Sequence, residues 1–200
     1  MDMLTGVILA GGANRRMKGE LKGLLPLGGQ PLIVRQVACM SQLCDEMIVV
    51  TNDPNPYLRI LDRSVRIITD FFADHGPLGG MHAALSLAKN PSVWIVGCDM
   101  PFISCKAAEL LLQRKQDGFE AAIPFVGGEL QILHGIYDRI CLSHLSKLLE
   151  KGENTVSSLL GHVFWSELAD SYLRENGVPL NFISKIKTVD DYEALLQLGL

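Results

Sequence analysis

The sequence is short of several features that mark common classes of protein. Its 200 residues carry a net charge of −4, whereas a protein that binds nucleic acid along its surface is usually basic. No uncharged apolar run approaches the ~20 residues that a membrane-spanning helix needs. Repeats and low-complexity segments are absent as well. We therefore expect partners that include neither nucleic acid nor a membrane.

Sequence patterns for metal binding and secretion are also absent. No two of the five cysteines have the CxxC spacing, and no two of the five histidines are spaced as HxxxH. His134 lies in an apolar strand, which favours a buried core residue over a catalyst. Because no secretory leader is evident, we expect reduced thiols and a cytoplasmic location.

Apolar residues make up 48% of the chain and form alternating strand and helix patterns. Several apolar runs are continuous, as in parallel strands that are covered on both faces. The alternation predicts an α/β fold with a mostly parallel central sheet, and the length suits a single domain over residues 1–200. The predicted strands are 5–10, 46–51, 65–69, 93–97 and 120–125, with a shorter one near 132–137.

Helical patterns fill the intervals between the predicted strands. Pro31 suits a first helical turn, and Ser104 suits the N-cap of a helix that runs to about Lys115. Near the end of the chain, Thr188 and Asp191 have the spacing of a capping box. Two further groups of apolar residues repeat at helical spacing: Ile33, Val37 and Met40, then Leu78, Met81, Leu85 and Ala88.

Glycine or polar residues follow four of the predicted strands. Ligands of α/β proteins bind at the carboxyl ends of the strands, so these residues are candidates for one site. Ordinary turns favour the same residue types and remain the alternative at each position. A carboxylate among them would select guanine by accepting from its N1–H and N2–H₂ groups. The residues are Gly11 and Gly12, Asn52 and Asp53, Asp70, and Asp99.

The loop over residues 11–23 has the composition of a triphosphate-binding loop. Glycine lets the backbone turn sharply and bring its N–H groups close to a ligand, and four cations follow within eight residues. The loop has neither the GxxxxGK[ST] nor the GxGxxG spacing. Lys22 and Arg16 are the best candidates for phosphate contacts, whereas Arg15 and Lys18 fit a solvated role equally well. A basic surface loop remains the alternative.

Asp99 has the features of a magnesium ligand. It follows a continuous apolar run, and a carboxylate at the end of a buried strand is costly unless it is paired or binds a metal. Mg²⁺ typically takes one or two protein carboxylates together with phosphate oxygens and water. The alternative is an acid that caps the turn before Pro101.

Taken in order, these residues resemble the molybdenum cofactor guanylyltransferases. That family opens with LAGG-x-x-x-R-M-x-G-x-x-K-G, which this chain matches at 9–12, 16–17, 19 and 22–23. The resemblance continues in Leu24–Leu27, Gly29–Leu32, Gly76–Met81 and Cys98–Phe102. Other nucleotidyltransferases share the first loop, but the double glycine favours the guanylyltransferases over their cytidylyltransferase relatives, which typically have LAAG.

The resemblance implies a fold, a reaction and a set of site residues. The fold would be the Rossmann-like three-layer nucleotidyltransferase fold, with a nucleotide-binding half over 1–100 and an acceptor-binding half over 101–200. The enzyme would transfer GMP from GTP to the molybdopterin cofactor, with Mg²⁺ as its metal. It would make at most transient contact with molybdenum cofactor biosynthesis proteins or molybdoenzyme chaperones. Lys22, Arg16 and Asp99 would be catalytic, and Asp99 would hold the metal. GTP would contact Leu9, Ala10, Gly11, Gly12, Lys22, Asn52, Asp70, Gly79 and Asp99.

The chain departs from the family pattern at several positions. Lys18 replaces a glycine that is usual after the methionine, and Leu21 replaces an acid before the key lysine. Lys185 and Lys187 stand where the family often has two asparagines. These lysines would attract an anionic acceptor. They leave a non-catalytic nucleotide-binding protein open as one alternative. A second alternative is a related nucleotidyltransferase that uses CTP or a sugar phosphate.

Overall fold

A mixed β-sheet of eight strands forms the centre of the computed structural model, which describes residues 3–12, 17, 19–72 and 75–197. Within these residues the strand order is β10–β7–β9–β6–β1–β4–β5, and β8 pairs with β7. Two further short strands, β2 and β3, form a separate antiparallel hairpin. The strands are β1 (Leu4–Leu9), β2 (Pro26–Leu27), β3 (Gln30–Pro31), β4 (Glu46–Val50), β5 (Val65–Ile68), β6 (Ser92–Gly97), β7 (Ala121–Val126), β8 (Glu129–Leu130), β9 (Gly135–Asp138) and β10 (Trp165–Ala169).

Helices cover both faces of the sheet. Ser104 caps one of them by accepting a hydrogen bond from the Ala107 N–H at 3.1 Å, and Thr188 and Asp191 form the capping box of the last one. Both caps were predicted and are confirmed. The helices are α1 (Leu32–Met40), α2 (Asn55–Leu58), α3 (Gly76–Leu87), α4 (Cys105–Gln116), α5 (Leu142–Glu150), α6 (Asp170–Glu175) and α7 (Val189–Leu196).

The alternation of side chains along β1 divides the apolar core into two layers. Leu4 and Ile8 face a layer that contains apolar residues of α1, α4 and α6. Val7 faces the other layer, which contains apolar residues of α3 and α5. Because side chains of a strand point alternately to opposite faces, the continuous apolar runs seen in the sequence are explained by burial on both sides. The fold is therefore the predicted three-layer α/β arrangement.

The order of the strands reverses beside β1. The chain passes from β1 to β4 and β5 on one side, and then returns to β6 on the other. These four strands are parallel, with Val7 opposite Ile48 on β4 and opposite Ile95 on β6. β9 is antiparallel to both of its neighbours, β6 and β7. In such a sheet the crevice at the carboxyl ends of the two central strands is the usual ligand site.

A small third core joins the segment between β1 and α1 to the C-terminal part of the chain. Leu25, Leu27 and Leu32, from the β2–β3 hairpin and the start of α1, pack with Ile186 and with Leu195 of α7. The segment before α7 is thereby fixed beside the residues that follow β1. This arrangement decides which C-terminal side chains can approach the crevice.

The five longer predicted strands are confirmed to within one residue at each end. The shorter strand begins at Gly135 rather than at 132, because the backbone of His134 has a φ of 126°. His134 therefore precedes the strand in which it was expected. The strands β2, β3, β8 and β10 and the helices α2, α5 and α6 were not predicted. Among the described helices, none has both the length and the hydrophobicity to cross a membrane.

Candidate functional site

The carboxyl ends of β1 and β6 bring two of the sequence motifs together. The Ala10 N–H donates to the Val50 oxygen at 2.8 Å, and the Cys98 N–H donates to the Leu9 oxygen at 3.0 Å. Ladder hydrogen bonding thus continues one residue beyond each strand. Gly11 and Gly12 then leave the sheet as exposed residues, and Asp99 follows at the end of the neighbouring strand. The glycine pair and the acid lie at the same edge of the sheet.

Lys22 and Asp99 form an ion pair at this edge. The Lys22 Nζ lies 3.5 Å from the Asp99 Oδ2, although 77 positions separate the residues in the sequence. Their side chains are 17% and 25% exposed, so solvent or a ligand can reach both. A cation and a carboxylate held together in this way offer opposite charges to a phosphate group and to a metal ion.

Backbone contacts hold the loop that carries Asp99. The buried Gln36 side chain on α1 donates to the Gly97 and Met100 oxygens, both at 2.9 Å. The Ile186 N–H donates to the Asp99 backbone oxygen at 2.8 Å. A Cβ on Gly97 would lie 2.6 Å from the Asp99 Oδ1, so the carboxylate occupies space that only glycine leaves open. The backbone of the loop is therefore held by its neighbours, and the Asp99 carboxylate lies in the space that Gly97 leaves.

The turn that carries Lys22 is held by a buried tyrosine. Lys22–Leu24 form a single 3-10 turn in which Gly23 is buried. A Cβ on Gly23 would lie 3.1 Å from the Tyr57 hydroxyl oxygen. Burial raises the pKa of the neighbouring Cys98 thiol to about 12, which keeps it protonated. Tyr57 thus packs against the backbone turn from which Lys22 extends toward Asp99.

Asp70 and Gly79 form a second close contact. The Asp70 Oδ1 accepts a hydrogen bond from the Phe72 N–H at 2.8 Å, which is the turn interaction that the sequence left as an alternative. A Cβ on Gly79 would nevertheless lie 2.5 Å from the Asp70 Oδ2. The carboxylate therefore sits against the first turn of α3. There, free N–H groups and the helix dipole favour negative charge.

Asn52 and Leu9 connect this second contact to the glycine pair. A Cβ on Gly11 would lie 3.8 Å from the Asn52 Nδ2, and one on Gly80 would lie 3.3 Å from the Leu9 Cδ2. The residues predicted to bind nucleotide thus fall into two groups at one edge of the sheet. One group is Lys22 with Asp99; the other is Leu9, Ala10, Gly11, Asn52, Asp70 and Gly79.

Some predicted residues are not tested by these contacts. Gly12 is exposed, and a Cβ added to it would meet no atom within 4 Å. Arg16 was predicted to be catalytic but lies outside the described residues, as do Arg15 and Lys18.

Residues of the second half of the chain, the half that was expected to bind the acceptor, lie near Asp99. The Leu133 side chain lies 3.7 Å from the position of a Cβ on Gly97. The half-buried Lys185 donates from its Nζ to the Oε1 of buried Gln131 at 3.5 Å. Lys185 precedes Ile186, the residue that hydrogen-bonds the Asp99 oxygen. Lys185 was marked in the sequence by its departure from the family pattern, whereas Gln131 had no such signal.

Gln36 supports the Asp99 loop and was not among the predicted site residues. It lies at a core-facing position of α1, between the apolar residues Ile33, Val37 and Met40. A lone amide at such a position is expected to have buried hydrogen-bond partners. Its partners, the Gly97 and Met100 oxygens, belong to the loop that carries Asp99.

This mostly parallel sheet between two layers of helices is the fold of solved nucleotidyltransferases. Molybdopterin-guanine dinucleotide biosynthesis protein A from Archaeoglobus fulgidus superposes with a TM-score of 0.83 at 23% identity over 98% of both chains. Rv0371c from Mycobacterium tuberculosis gives 0.74 at 20% identity, again over 98% of both chains. At these identities the likeness shows the fold alone. The same Mycobacterium protein has also been solved in complex with manganese.

The family itself is shown by sequence. Residues 6–167 match the MobA-like NTP transferase domain, and the chain belongs to this family of nucleotidyltransferases. A probable molybdenum cofactor guanylyltransferase from Carboxydothermus hydrogenoformans is 30% identical over 99% of this chain and 98% of its own. The molybdenum cofactor guanylyltransferase of Desulfosudis oleivorans is 28% identical over 96% of this chain and 94% of its own. The predicted family and fold are confirmed, and enzymes of this family typically use a divalent metal.

Proposed function

We propose that this nucleotidyltransferase transfers GMP from GTP to the molybdopterin cofactor and releases pyrophosphate. The observation that carries the proposal is the Lys22–Asp99 ion pair, because it offers both charges that a metal-bound triphosphate requires at the edge where β1 and β6 end. The relatives named as molybdenum cofactor guanylyltransferases support the choice of nucleotide and acceptor.

The first half of the chain, residues 1–100, would bind the nucleotide. Gly11 and Gly12 would let the backbone approach the phosphates, and Lys22 would neutralise their charge together with Arg16. Asp70 would accept from the N1–H and N2–H₂ groups of guanine, and the contacts of its carboxylate with Phe72 and Gly79 would hold it in place for that role. Leu9, Ala10, Asn52 and Gly79 would line the same nucleotide.

Asp99 fits a magnesium ion. Among the described residues no three His, Cys, Asp or Glu side chains are grouped for metal binding. A single, partly exposed carboxylate suits Mg²⁺ rather than a metal that needs several protein ligands, since Mg²⁺ takes its remaining ligands from phosphate oxygens and water. When bound there, the ion would offset the negative charge of the triphosphate.

The proposed reaction is an in-line displacement at the α-phosphorus of GTP. A terminal phosphate oxygen of molybdopterin forms the new P–O bond while the bond to pyrophosphate breaks, and pyrophosphate leaves with the electron pair. The attacking phosphate monoester is already ionised, so no strong general base is required. Lys22 and Arg16 would stabilise the charge that moves to the leaving group. Placement and charge neutralisation would supply the rate.

The second half of the chain, residues 101–200, would bind the acceptor. Leu133, Gln131 and Lys185 lie close to the Asp99 loop and belong to this half. The Gln131 amide oxygen would hold the Lys185 ammonium group, which would then bind the phosphate of the incoming acceptor. A cation at this place suits an anionic substrate.

Pyrophosphate release tests the proposal directly. The purified chain is mixed with Mg²⁺, molybdopterin and one nucleotide at a time, and the released pyrophosphate is measured. We expect release with GTP and little with CTP, ATP or UTP. A thermal-shift titration with the same four nucleotides gives the binding preference separately. Preference for CTP would contradict the guanine assignment, and GTP binding without pyrophosphate release would show a nucleotide-binding protein that is not an enzyme.

A further inference from the structure

Two cysteine sulfurs are in contact between the end of α1 and the start of α4. The Cys39 Sγ, near the end of α1, is 3.1 Å from the Cys105 Sγ, at the first residue of α4. The two residues are 66 positions apart in the sequence, and both are partly exposed to solvent. A disulfide bond has an S–S distance of about 2.05 Å, so closing one here requires the sulfurs to approach by about 1 Å.

The hydrogen bonding of the pair makes the two thiols chemically different. The Cys105 Sγ lies 2.9 Å from the Cys39 backbone oxygen as well as 3.1 Å from the Cys39 sulfur. Hydrogen bonding from Cys105 lowers the pKa of Cys39 to about 7, although burial acts in the opposite direction. The same hydrogen bond raises the pKa of Cys105. Cys39 is thus the better nucleophile of the two, since the thiolate is the reactive form.

The other three cysteines have a different environment. Burial raises the pKa of Cys44, of Cys98 and of Cys141 to about 12 in each case. These thiols stay protonated at neutral pH and react slowly with oxidants. Cys44 provides a matched control because it is also a partly exposed thiol and lies only five positions after Cys39.

We propose that Cys39 and Cys105 form an oxidisable thiol pair, a modification site that hydrogen peroxide converts to a disulfide. The Cys39 thiolate attacks one peroxide oxygen, which gives a sulfenic acid on Cys39 and one water after proton uptake. The Cys105 sulfur then attacks the Cys39 sulfur and expels a second water. Overall two thiols are oxidised, one peroxide is reduced to two waters, and α1 becomes covalently joined to α4.

Two sets of contacts connect the cysteine pair to the Asp99 loop. Gln36 lies one helical turn before Cys39 and holds the Gly97 and Met100 oxygens on either side of Asp99. Cys105 ends the connection from Met100 to α4, where the Ser104 N–H is held by the His134 Nε2 at 3.1 Å. We expect that drawing the sulfurs together shifts α1 or the start of α4 and with it one of these supports of Asp99. This consequence for transfer rests on the proposed function.

Peptide mapping after peroxide treatment tests the pair itself. The reduced protein is exposed to hydrogen peroxide, alkylated and digested without reductant. We expect a linked peptide that joins Cys39 to Cys105 and that dithiothreitol separates. The variants Cys39→Ser and Cys105→Ser should not form it, whereas Cys44→Ser should form it as the original chain does. A link that involves Cys44, or oxidation of Cys39 to sulfinic acid without any link, would overturn the proposal.

Enzyme activity tests the connection to the Asp99 loop. A misplacement of about 1 Å at a reacting group costs up to ~100-fold in rate, so we expect peroxide to lower pyrophosphate release by about tenfold and dithiothreitol to restore it. Cys105→Ser should keep its rate under the same brief treatment. A linked protein with an unchanged rate would overturn the connection. If the reduced chain itself released no pyrophosphate, the proposed function would fail, while the peptide map would still decide the thiol pair.

Discussion

The Lys22–Asp99 pair and the Lys185–Gln131 pair both border the Asp99 loop, but they differ in how they are supported. Buried groups hold the first pair: Gln36 bonds the loop on both sides of Asp99, and Tyr57 packs on the turn of Lys22. In the second pair the backbone is anchored through Ile186, and among the described residues the half-buried Lys185 side chain is held by the Gln131 amide oxygen. Under the proposed function, the nucleotide would meet the more firmly held of the two pairs and the acceptor would meet the other.

The largest effect is expected at Asp99. Asp99→Asn keeps the shape of the side chain but removes the charge that would hold magnesium. Losing one preorganised charge contact of this kind costs roughly 3–4 kcal/mol of barrier, so pyrophosphate release should fall by ~100- to 1,000-fold. Thermal unfolding should stay close to that of the original chain. Asp62→Asn, at an exposed acid, is the control, and near-normal release by Asp99→Asn would remove the acid from its proposed role.

Lys22→Met should give the next largest loss. The substitution retains the unbranched side chain and removes the ammonium group that lies 3.5 Å from the Asp99 carboxylate. We expect roughly 100-fold slower pyrophosphate release, together with weaker GTP binding in a thermal-shift titration. Lys106→Met serves for comparison, because the Lys106 side chain is 56% exposed and lies on α4. Equal activity of the two variants would contradict the assignment of Lys22.

Gln36→Leu tests whether buried support of the loop matters. The change leaves the Gly97 and Met100 oxygens without their side-chain donor, which costs about 1–3 kcal/mol of unfolding free energy. Denaturant unfolding measures that loss. Because Asp99 would also be less well placed, turnover of the remaining folded protein should fall. Gln42→Leu, at an exposed position just after α1, should do neither. Full activity in folded Gln36→Leu would show that the loop needs no such support.

His134 should make the molecule less stable in acid. Burial lowers the pKa of His134 to about 3, so the folded protein keeps it neutral where the unfolded chain, with a pKa near 6.5, takes up a proton. Well above pH 6.5 this difference in protonation has little effect on stability. As pH falls from there toward 3, the unfolded chain binds the proton and the unfolding free energy decreases. From pH 7 to pH 5 the unfolding free energy should drop by about 2 kcal/mol from this group.

The matched variants are His134→Asn and, at an exposed site, His162→Asn. Unfolding in denaturant at several pH values should show a shallower acid dependence for His134→Asn than for the original chain. The dependence in His162→Asn should be unchanged. Identical slopes for all three proteins would contradict a buried neutral His134.

The smallest effect is expected on the acceptor side. Lys185→Ala removes one partly exposed cation, and we expect the KM for molybdopterin to rise by about tenfold while the KM for GTP stays the same. Lys187→Ala is a close control, since Lys187 is exposed two positions away. A change in the KM for GTP instead would place Lys185 on the nucleotide side, and Lys185→Arg should recover most of the affinity.

Much of the candidate site at the ends of β1 and β6 could be predicted because its signals are local. The apolar run of β1, the glycine pair after it and the acid after β6 are contiguous patterns, and parallel strands place their ends at one edge. The C-terminal capping box was readable for the same reason. The strand β10 was missed because Trp165–Ala169 mixes polar and apolar residues at the edge of the sheet. The start of β9 was misplaced because the positive φ of His134 leaves no mark in composition.

By itself the amino-acid sequence determined the alternation of strands and helices, the loop of glycine and cations, and the candidate acid at 99. These follow from periodicity and from the chemistry of single residues. Only the tertiary structure decided that Lys22 contacts Asp99, that Gln36 supports the loop, that Lys185 lies near it and that Cys39 meets Cys105. Such contacts join residues far apart in the chain. They depend on how the three layers pack, and local sequence patterns do not determine that packing.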